Sequence, residues 1–264
     1  MYLKKGIISI LCLSALALCG CEQDSDYAKI KKSGVIVFGM PIEYAPYSYQ
    51  KNGKASGYDV ECAKAVASKI GFKAKFKFMK NSELVKALDD GKVDAVPNQQ
   101  YISFKVDKQK DEKPDYCFSH AYKYSRLVCI VRKGTTDIKH FDDQRDKKIA
   151  MAPGDFYEDS VLDDGGVIVR STSFEDAMKK VQAKNAYSTM NDLWAFQYYR
   201  RHHKDCTLKG AVVSANVYGM TFMTKGTDET LADKMSDAVD SLRDRGDLAD
   251  ISVRYFGQDI AAKI

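Results

Sequence analysis

The stretch that decides the fold runs from residue 35 to residue 71 and reads VIVFGMPIEYAPYSYQKNGKASGYDVECAKAVASKIG. Its first four residues form a continuous apolar run that is too short for a helix, which predicts a buried parallel strand. Apolar residues then recur at helical spacing from Val60 to Ile70. This spacing predicts an amphipathic helix that Asp59 caps at its start and Gly71 ends.

Strand and helix patterns go on alternating after this stretch. Residues 73–79 alternate charged and apolar side chains, a helix is predicted from Ser82 to Asp90, and residues 93–96 form the next apolar run before Pro97. The order β-α-β-α-β predicts a doubly wound, mostly parallel sheet. In such sheets, ligands bind beyond the carboxyl ends of the strands.

A second α/β pattern begins at the apolar run 127–131. The chain crosses back near residues 211–214, which predicts a two-lobed clamshell with a two-strand hinge and a ligand cleft between the lobes. Lobe 1 is expected over 34–124 and 217–264, and lobe 2 over 125–216. The predicted elements of lobe 2 are strands at 148–151, 167–169 and 186–190 and helices at 158–162, 174–183 and 192–203.

The N-terminus has the pattern of a lipoprotein signal peptide. Lys4 and Lys5 precede an apolar stretch of signal-peptide length, and Gly20-Cys21 stands where cleavage is expected. We expect a signal peptide over 1–20, a lipidated Cys21 with a tether to residue 33, and a protein anchored in the periplasm or at the outer face of the cell membrane. An uncleaved anchor and a plain secretory signal are the alternatives.

Several short motifs occur in a fixed order along nearly all of the remaining chain. They are Val37-Phe38-Gly39, Tyr44-Ala45-Pro46-Tyr47, Gly57-Tyr58-Asp59-Val60, residues 84–95, Phe118-Ser119, Asn191-Asp192-Leu193, Tyr218-Gly219-Met220 and Tyr255-Phe256-Gly257. Together they resemble the bacterial solute-binding proteins of the polar amino acid uptake type. The resemblance implies a monomeric periplasmic binding protein that delivers a small solute to an ABC permease, without a cofactor and without catalysis.

The resemblance also implies roles for individual residues. Asp192 matches the partner of the ligand ammonium, although an Asp here can simply cap a helix. Tyr44 matches the aromatic residue that covers the ligand, with ordinary packing as the alternative, and Tyr47 is interpreted as core or rim. Gly154-Asp155-Phe156 falls where the family has a turn that binds the ligand carboxylate, but an Asp at this turn repels a carboxylate.

Three departures from the family pattern bear on the ligand. Val106 stands where the family has an Arg that grips the carboxylate, Asn81 replaces an aromatic residue, and residues 97–100 replace a strand end of small residues. Lys105 or Arg126 could supply the lost cation. We infer a ligand that is more cationic, or richer in hydrogen-bonding groups, than a simple amino acid, although polar side chains often just face solvent. The neutral candidates to bind it are Asn81, Asn98, Gln99, Gln100, Tyr101 and Ser103.

Charge and cysteine content exclude other classes. The net charge of +5 comes from mixed signs without a basic cluster among aromatics, so nucleic acid is not an expected partner. Beyond the signal, four cysteines remain, which allow three disulfide pairings. No metal site or catalytic motif is predicted. The cysteines are Cys62, Cys117, Cys129 and Cys206.

Two other functions stay open. One is an accessory or sensory subunit that binds a protein partner, which the missing Arg makes plausible. The other is an enzyme on the same scaffold that resembles the cyclohexadienyl dehydratases. That enzyme needs an acid in the cleft, for which Glu43 and Asp155 are the candidates.

Overall fold

The computed structural model describes residues 26–100, 115–153, 155, 157–226 and 229–262. Strands and helices alternate along this part of the chain, and short 3-10 turns at Asn81–Glu83 and Phe141–Gln144 join some of them. The strands are β1 Val35–Pro41, β2 Glu43–Tyr44, β3 Ser48–Lys51, β4 Lys54–Ser56, β5 Lys73–Met79, β6 Val96–Gln100, β7 Tyr116–Phe118, β8 Lys123–Ser125, β9 Leu127–Arg132, β10 Lys148–Met151, β11 Val167–Arg170, β12 Ser188–Asp192, β13 Leu208–Val213 and β14 Tyr218–Lys225. The helices are α1 Asp26–Ser33, α2 Tyr58–Lys69, α3 Leu84–Asp89, α4 Glu158–Asp163, α5 Phe174–Gln182, α6 Leu193–His202, α7 Glu229–Asp244 and α8 Asp247–Phe256.

The first group of strands surrounds β1. β1 pairs in parallel with β5, and a parallel bridge from Phe38 to Ala95 joins it to the chain entering β6. β14 pairs antiparallel with β6, β7 and β8, while β2, β3 and β4 form a small antiparallel meander. The expected mostly parallel sheet is therefore mixed, because the returning strand β14 runs against its neighbours.

The second group is one five-stranded sheet in the order β11-β10-β12-β9-β13. β10 is parallel to β11 and β12, whereas β9 is antiparallel to both β12 and β13. The chain passes between the two groups twice, from β8 to β9 and from β13 to β14. The carboxyl ends of β10, β11 and β12 therefore meet at one edge of this sheet, beside the end of β1.

Separate apolar clusters hold the two groups of strands. In the first, Phe38 and Phe222 pack with α2, α7 and α8 through fully buried residues such as Val66 and Met235. In the second, the strands pack on α5 and α6 through Met178 and Phe196. Burial of these side chains removes apolar surface from water, which is the main favourable term in folding.

Two predictions near the start of the chain are wrong in detail. Residues 26–33 of the expected tether form helix α1, because Ile30 is buried in the core around β1. Asp59 does not cap α2: the N-cap is Gly57, and the Asp59 carboxylate lies inside the protein instead. Gly57 has φ 123°, and a Cβ there would lie 2.3 Å from the carbonyl oxygen of Tyr47. A glycine is therefore required where the loop meets the helix.

Two further observations concern the chain as a whole. No helix in the described part of the chain is long and apolar enough to cross a membrane. Cys62, Cys117, Cys129 and Cys206 are free thiols in this structure, and burial raises the pKa of Cys129 to about 12. A buried thiol with a raised pKa is chemically inert, so Cys129 is structural rather than reactive.

Candidate functional site

A cavity of about 880 Å³ lies where the two groups of strands face each other. The first group lines it with the end of β1, the start of β2 and the turn at Asn81, and the second group lines it with the ends of β10, β11 and β12. A cavity of this size is ordinary for a small-molecule site. The strand ends that line it are those that the alternating pattern predicts for ligand binding.

Asp192 is held in place at the wall of the cavity. Its Oδ1 accepts hydrogen bonds from the backbone N–H groups of Trp194 and Ala195, at 2.9 Å each, and so caps helix α6. The hydroxyl of Tyr47 donates a third hydrogen bond to the same oxygen at 2.5 Å. The other oxygen, Oδ2, is buried and has no hydrogen-bond partner among the described residues. Asp192 thus caps its helix and keeps one carboxylate oxygen for another partner.

Tyr44 and Asn191 join the two groups of strands beside Asp192. The Tyr44 hydroxyl donates to Oδ1 of Asn191 at 2.8 Å, and that oxygen also accepts the backbone N–H of Asp192. Burial, together with the nearby Asp192 carboxylate, raises the pKa of Tyr44 and that of Tyr47 well above the usual value. Both phenols therefore keep their protons and act as hydrogen-bond donors.

Asp155, Glu158 and Arg170 also line the cavity. Oδ2 of Asp155 accepts the backbone N–H of Ala152 at 2.9 Å, while burial raises the pKa of Asp155 to about 6. Glu158 pairs with Arg170 at 2.5 Å. Arg170 and Lys80 are the cationic residues that line the cavity among those described. The cavity lining therefore carries charges of both signs.

The structure places some of the predicted site residues at the cavity and leaves others elsewhere. Tyr44, Asn81, Asn98, Asp155 and Asp192 line it. Asn98 adopts a positive φ of 63°, which Asn tolerates better than most residues. The backbones of Gln99 and Gln100 lie in β6, paired with Thr221 and Met220. Tyr101, Ser103, Lys105, Val106, Gly154 and Phe156 lie outside the described residues, as does Cys21.

Arg126 is not among the residues that line the cavity. Its backbone carbonyl accepts the N–H of Leu193, which ties the start of β9 to helix α6. The cation that the structure brings to the cavity is instead Arg170, at the end of β11. The sequence contains a signal for Arg170. It predicts a strand at 167–169, and the carboxyl end of a parallel strand faces the cleft.

Tyr47 makes a contact that the sequence interpretation did not include. It is fully buried, as expected for a core residue, but its hydroxyl reaches the carboxylate of Asp192. A buried Tyr hydroxyl usually finds a hydrogen-bond partner. That rule indicates a polar contact, although the sequence alone cannot say with which residue.

The residues at the cavity suit binding of a charged organic solute. Among the described residues, no three His, Cys, Asp or Glu side chains come together in an arrangement that could hold a metal ion. Carboxylates, amides, hydroxyls and one guanidinium line the walls beside apolar side chains such as Leu84 and Met190. This mixture of apolar walls and a few fixed polar groups is typical of sites for small molecules.

Comparison with known proteins agrees with this arrangement. Residues 36–258 match the model of the bacterial extracellular solute-binding proteins, family 3. The L-cystine-binding protein TcyA of Bacillus subtilis (strain 168) is 26% identical over 274 residues, which cover 98% of this chain and 100% of that protein. A probable amino-acid ABC transporter-binding protein of Haemophilus influenzae is 26% identical over 233 residues, 88% of each chain.

Solved structures show the same fold. An ancestral arginine-binding protein bound to arginine superposes with a TM-score of 0.75 at 23% identity, covering 85% of this chain and 99% of that one. The chain therefore has the α/β fold of the periplasmic binding proteins. At this identity the likeness concerns the fold and not the ligand.

Proposed function

The chain belongs to family 3 of the bacterial extracellular solute-binding proteins, and we propose that it captures a small cationic amino acid and delivers it to an ABC importer. The relative from Haemophilus influenzae is described as a probable amino-acid ABC transporter-binding protein, which supports the importer as partner. The cavity between the two groups of strands is the proposed binding site.

The main observation behind this proposal is that one carboxylate oxygen of Asp192 is buried without a hydrogen-bond partner among the described residues. Buried polar atoms almost always have a hydrogen-bond partner, and a buried charge needs an opposite charge. Oδ1 already accepts three hydrogen bonds, whereas Oδ2 is buried without a partner among the described residues. An ammonium group supplies both the donor and the charge that this oxygen lacks. The α-ammonium of an amino acid is the proposed occupant.

The charges around the cavity favour a ligand with a second positive group. Glu43, Asp155, Glu158 and Asp192 are acidic, whereas Lys80 and Arg170 are basic. Glu158 and Arg170 pair with each other. The remaining acidic residues, Glu43, Asp155 and Asp192, therefore outnumber the remaining basic residue, Lys80. Asp155 is the proposed partner of a cationic side chain.

Arg170 is the proposed contact for the ligand carboxylate in place of the missing family Arg. Its guanidinium has five N–H donors, and the pair with Glu158 is made through Nη1. A guanidinium can therefore hold Glu158 and a carboxylate at the same time. With Arg170 in this role, an amino acid remains the proposed ligand although Val106 stands where the family has an Arg.

The remaining parts of the proposal concern closure and anchoring. Lobe 1 over 34–124 and 217–264 and lobe 2 over 125–216 close about the two connections between the groups of strands. The Leu18-Cys19-Gly20-Cys21 pattern supports a lipid on Cys21 and an anchored protein in the periplasm or at the outer face of the membrane. Binding without catalysis is proposed, in line with the binding proteins named as relatives.

Thermal unfolding of the purified protein tests the proposal. L-arginine, L-histidine, L-cystine, putrescine, sugars and organic acids are added one at a time, and the midpoint is followed. A ligand at about 100 times its dissociation constant adds about 2.7 kcal/mol and raises the midpoint by several degrees. We expect the largest shift with L-arginine. A shift with sugars or organic acids and none with any amino acid would contradict the proposal.

A further inference from the structure

A fully buried ion pair between Lys123 and Asp59 lies behind Tyr47. Neither residue lines the cavity, so direct contact with a ligand does not explain the pair. Nζ of Lys123 lies 2.9 Å from Oδ1 of Asp59, and the two side chains are 0% and 2% exposed. The hydroxyl of Tyr122 donates to the same carboxylate oxygen at 2.8 Å. A buried ion pair of this kind is seldom more stable than well-packed apolar residues. Its presence therefore calls for a role other than stability.

The Lys123 ammonium lies against the face of the Tyr47 ring. Nζ is 3.3 Å from the ring centroid, and the rings of Tyr58 and Tyr122 follow at 5.6 Å each. A cation over an aromatic ring is attracted to its negative face, most strongly where water is absent. Lys123 thus holds Tyr47 from behind, while Asp59 holds Lys123.

The other end of Tyr47 reaches the proposed binding residue. Its hydroxyl donates to Oδ1 of Asp192, the oxygen that also caps helix α6. The backbone supports the same geometry, because the N–H of Asp59 donates to the carbonyl of Tyr47 at 2.9 Å. A continuous chain of contacts therefore runs from Asp59 through Lys123 and Tyr47 to Asp192.

We propose that Lys123 is a positioning residue for ligand binding: held by Asp59, it fixes Tyr47 so that the Tyr47 hydroxyl occupies Oδ1 of Asp192 and leaves Oδ2 for the ligand ammonium. The inference rests on the proposed function, since it assumes a ligand that bears an ammonium group. It adds to that function a residue that lies outside the cavity lining and acts through Tyr47.

The test is a double-mutant cycle with L-arginine as the probe. One variant carries Asp59→Asn with Lys123→Met, which removes both charges and leaves neither unpaired, a second carries Tyr47→Phe, and a third carries all three changes. Titration calorimetry gives the dissociation constant of each. We expect the first two variants each to bind about tenfold more weakly, because hydrogen bonds to charged groups contribute strongly. The third should bind no more weakly than Tyr47→Phe alone.

A matched control removes an ion pair at the surface. Nζ of Lys86 on α3 lies 3.0 Å from Oδ1 of Asp90, the residue that follows α3, and the two side chains are 77% and 29% exposed. Lys86→Met with Asp90→Asn should leave the affinity for L-arginine unchanged, since exposed pairs contribute little. Loss of affinity in this control would show that charge removal anywhere weakens binding, which would overturn the positioning role.

Two results would contradict the inference directly. The first is wild-type affinity in the paired variant, and the second is an equal loss in the wild-type and Tyr47→Phe backgrounds. A pair that only stabilises the fold would give this equal loss, because it lowers the melting temperature without acting through Tyr47. If the paired variant does not fold, Asp59→Asn alone keeps both side-chain volumes, and unchanged affinity in it would overturn the inference as well.

A ligand-free measurement separates this inference from the proposed function. If wild-type protein does not bind L-arginine, the proposed ligand class is wrong, but urea unfolding of the same variants still tests the contact chain. Residues in contact show non-additive effects on stability, whereas independent residues do not. Less-than-additive changes in the unfolding constant support the link from Lys123 through Tyr47, and additive changes would overturn it.

Discussion

Two aspartates line the cavity, Asp192 at the end of β12 and Asp155 after β10, and the protein holds them differently. Asp192 is 6% exposed, and one of its oxygens accepts three hydrogen bonds at the start of helix α6. Asp155 is half-buried, and its Oδ2 accepts a single backbone hydrogen bond, from Ala152. Burial consequently raises the pKa of Asp155 to about 6, with a smaller contribution from the nearby Glu158 carboxylate.

The difference teaches that hydrogen-bond donors, more than burial alone, decide how a carboxylate behaves in a binding site. Asp192 is a fixed anchor that N–H and O–H donors organise before a ligand arrives. Asp155 has fewer donors, and its raised pKa makes its charge respond to pH near neutrality. Asp192 therefore suits the constant part of the proposed amino acid, and Asp155 suits the side chain that varies.

Asp192→Asn gives the largest expected effect. Asn caps a helix about as well as Asp, so the free energy of unfolding should change little. The dissociation constant for L-arginine should rise at least about thirtyfold, because a buried charge loses its partner. Calorimetry and thermal unfolding measure the two quantities. Asp237→Asn, at an exposed position on α7, is the control and should change neither.

The pH dependence of binding tests the role of Asp155. As the pH falls from about 7.5 to about 5, Asp155 takes up a proton and loses its attraction for a cation. If the bound cation lowers the pKa of Asp155 by about one unit, affinity for L-arginine falls about fivefold over this range. L-arginine itself keeps its charges there. This loss of affinity should be absent in Asp155→Asn. An identical pH profile for both proteins would refute the proposed contact between Asp155 and the cationic side chain.

The same raised pKa predicts a change in stability of known sign. A carboxyl group whose pKa is higher in the folded state than in the unfolded state binds its proton more tightly when folded. Its contribution to the free energy of unfolding therefore increases as the pH falls from about 7 through 6 towards 4. Asp155→Asn should melt at a higher temperature than wild type near neutral pH, with a smaller difference near pH 5. A constant difference across this range would argue against the raised pKa.

Tyr44→Phe probes the contact beside the anchor and should have a smaller effect. It removes the hydrogen bond to Asn191, whose Oδ1 still accepts the N–H of Asp192. A typical hydrogen bond contributes about 1 kcal/mol, which corresponds to roughly fivefold in the dissociation constant. Tyr49→Phe, in β3 and away from the cavity lining, is the control. Equal affinity of Tyr44→Phe and wild type would show that this contact does not support binding.

Arg170→Gln has the smallest expected effect. The Arg170 side chain is 57% exposed, so loss of its pair with Glu158 should hardly alter stability. Affinity for L-arginine should fall by about threefold, since a partly exposed cation contributes little. Agmatine, which lacks the carboxylate, should bind both proteins equally. An equal loss with agmatine would mean that Arg170 does not contact the carboxylate.

The sequence predicted the helix cap at Asp192. The Asn191-Asp192-Leu193 motif indicated both a helix cap and a ligand contact, and the structure confirms the cap. Strand β1 and the parallel pairing with β5 also follow the apolar pattern. These features depend on short-range chemistry or on periodicity, both of which are visible in a sequence.

The rest of the site depends on contacts between distant parts of the chain. Lys123 and Asp59 are 64 positions apart, and Tyr47 lies 145 positions before Asp192. Asp59 was therefore interpreted as a helix cap, the local role of an Asp at that position. The mixed sheet was missed for the same reason, because the direction of β14 follows from where the chain returns and not from its own pattern.

The most direct test of the account removes the ammonium from the ligand rather than the carboxylate from the protein. Calorimetry compares L-arginine with 5-guanidinopentanoate, which lacks the α-ammonium, on wild-type protein and on Asp192→Asn. The account predicts that wild type binds L-arginine at least about thirtyfold more tightly than the analogue, and that Asp192→Asn loses this preference. Equal binding of the two compounds by wild-type protein would contradict the claim that Asp192 receives the ammonium.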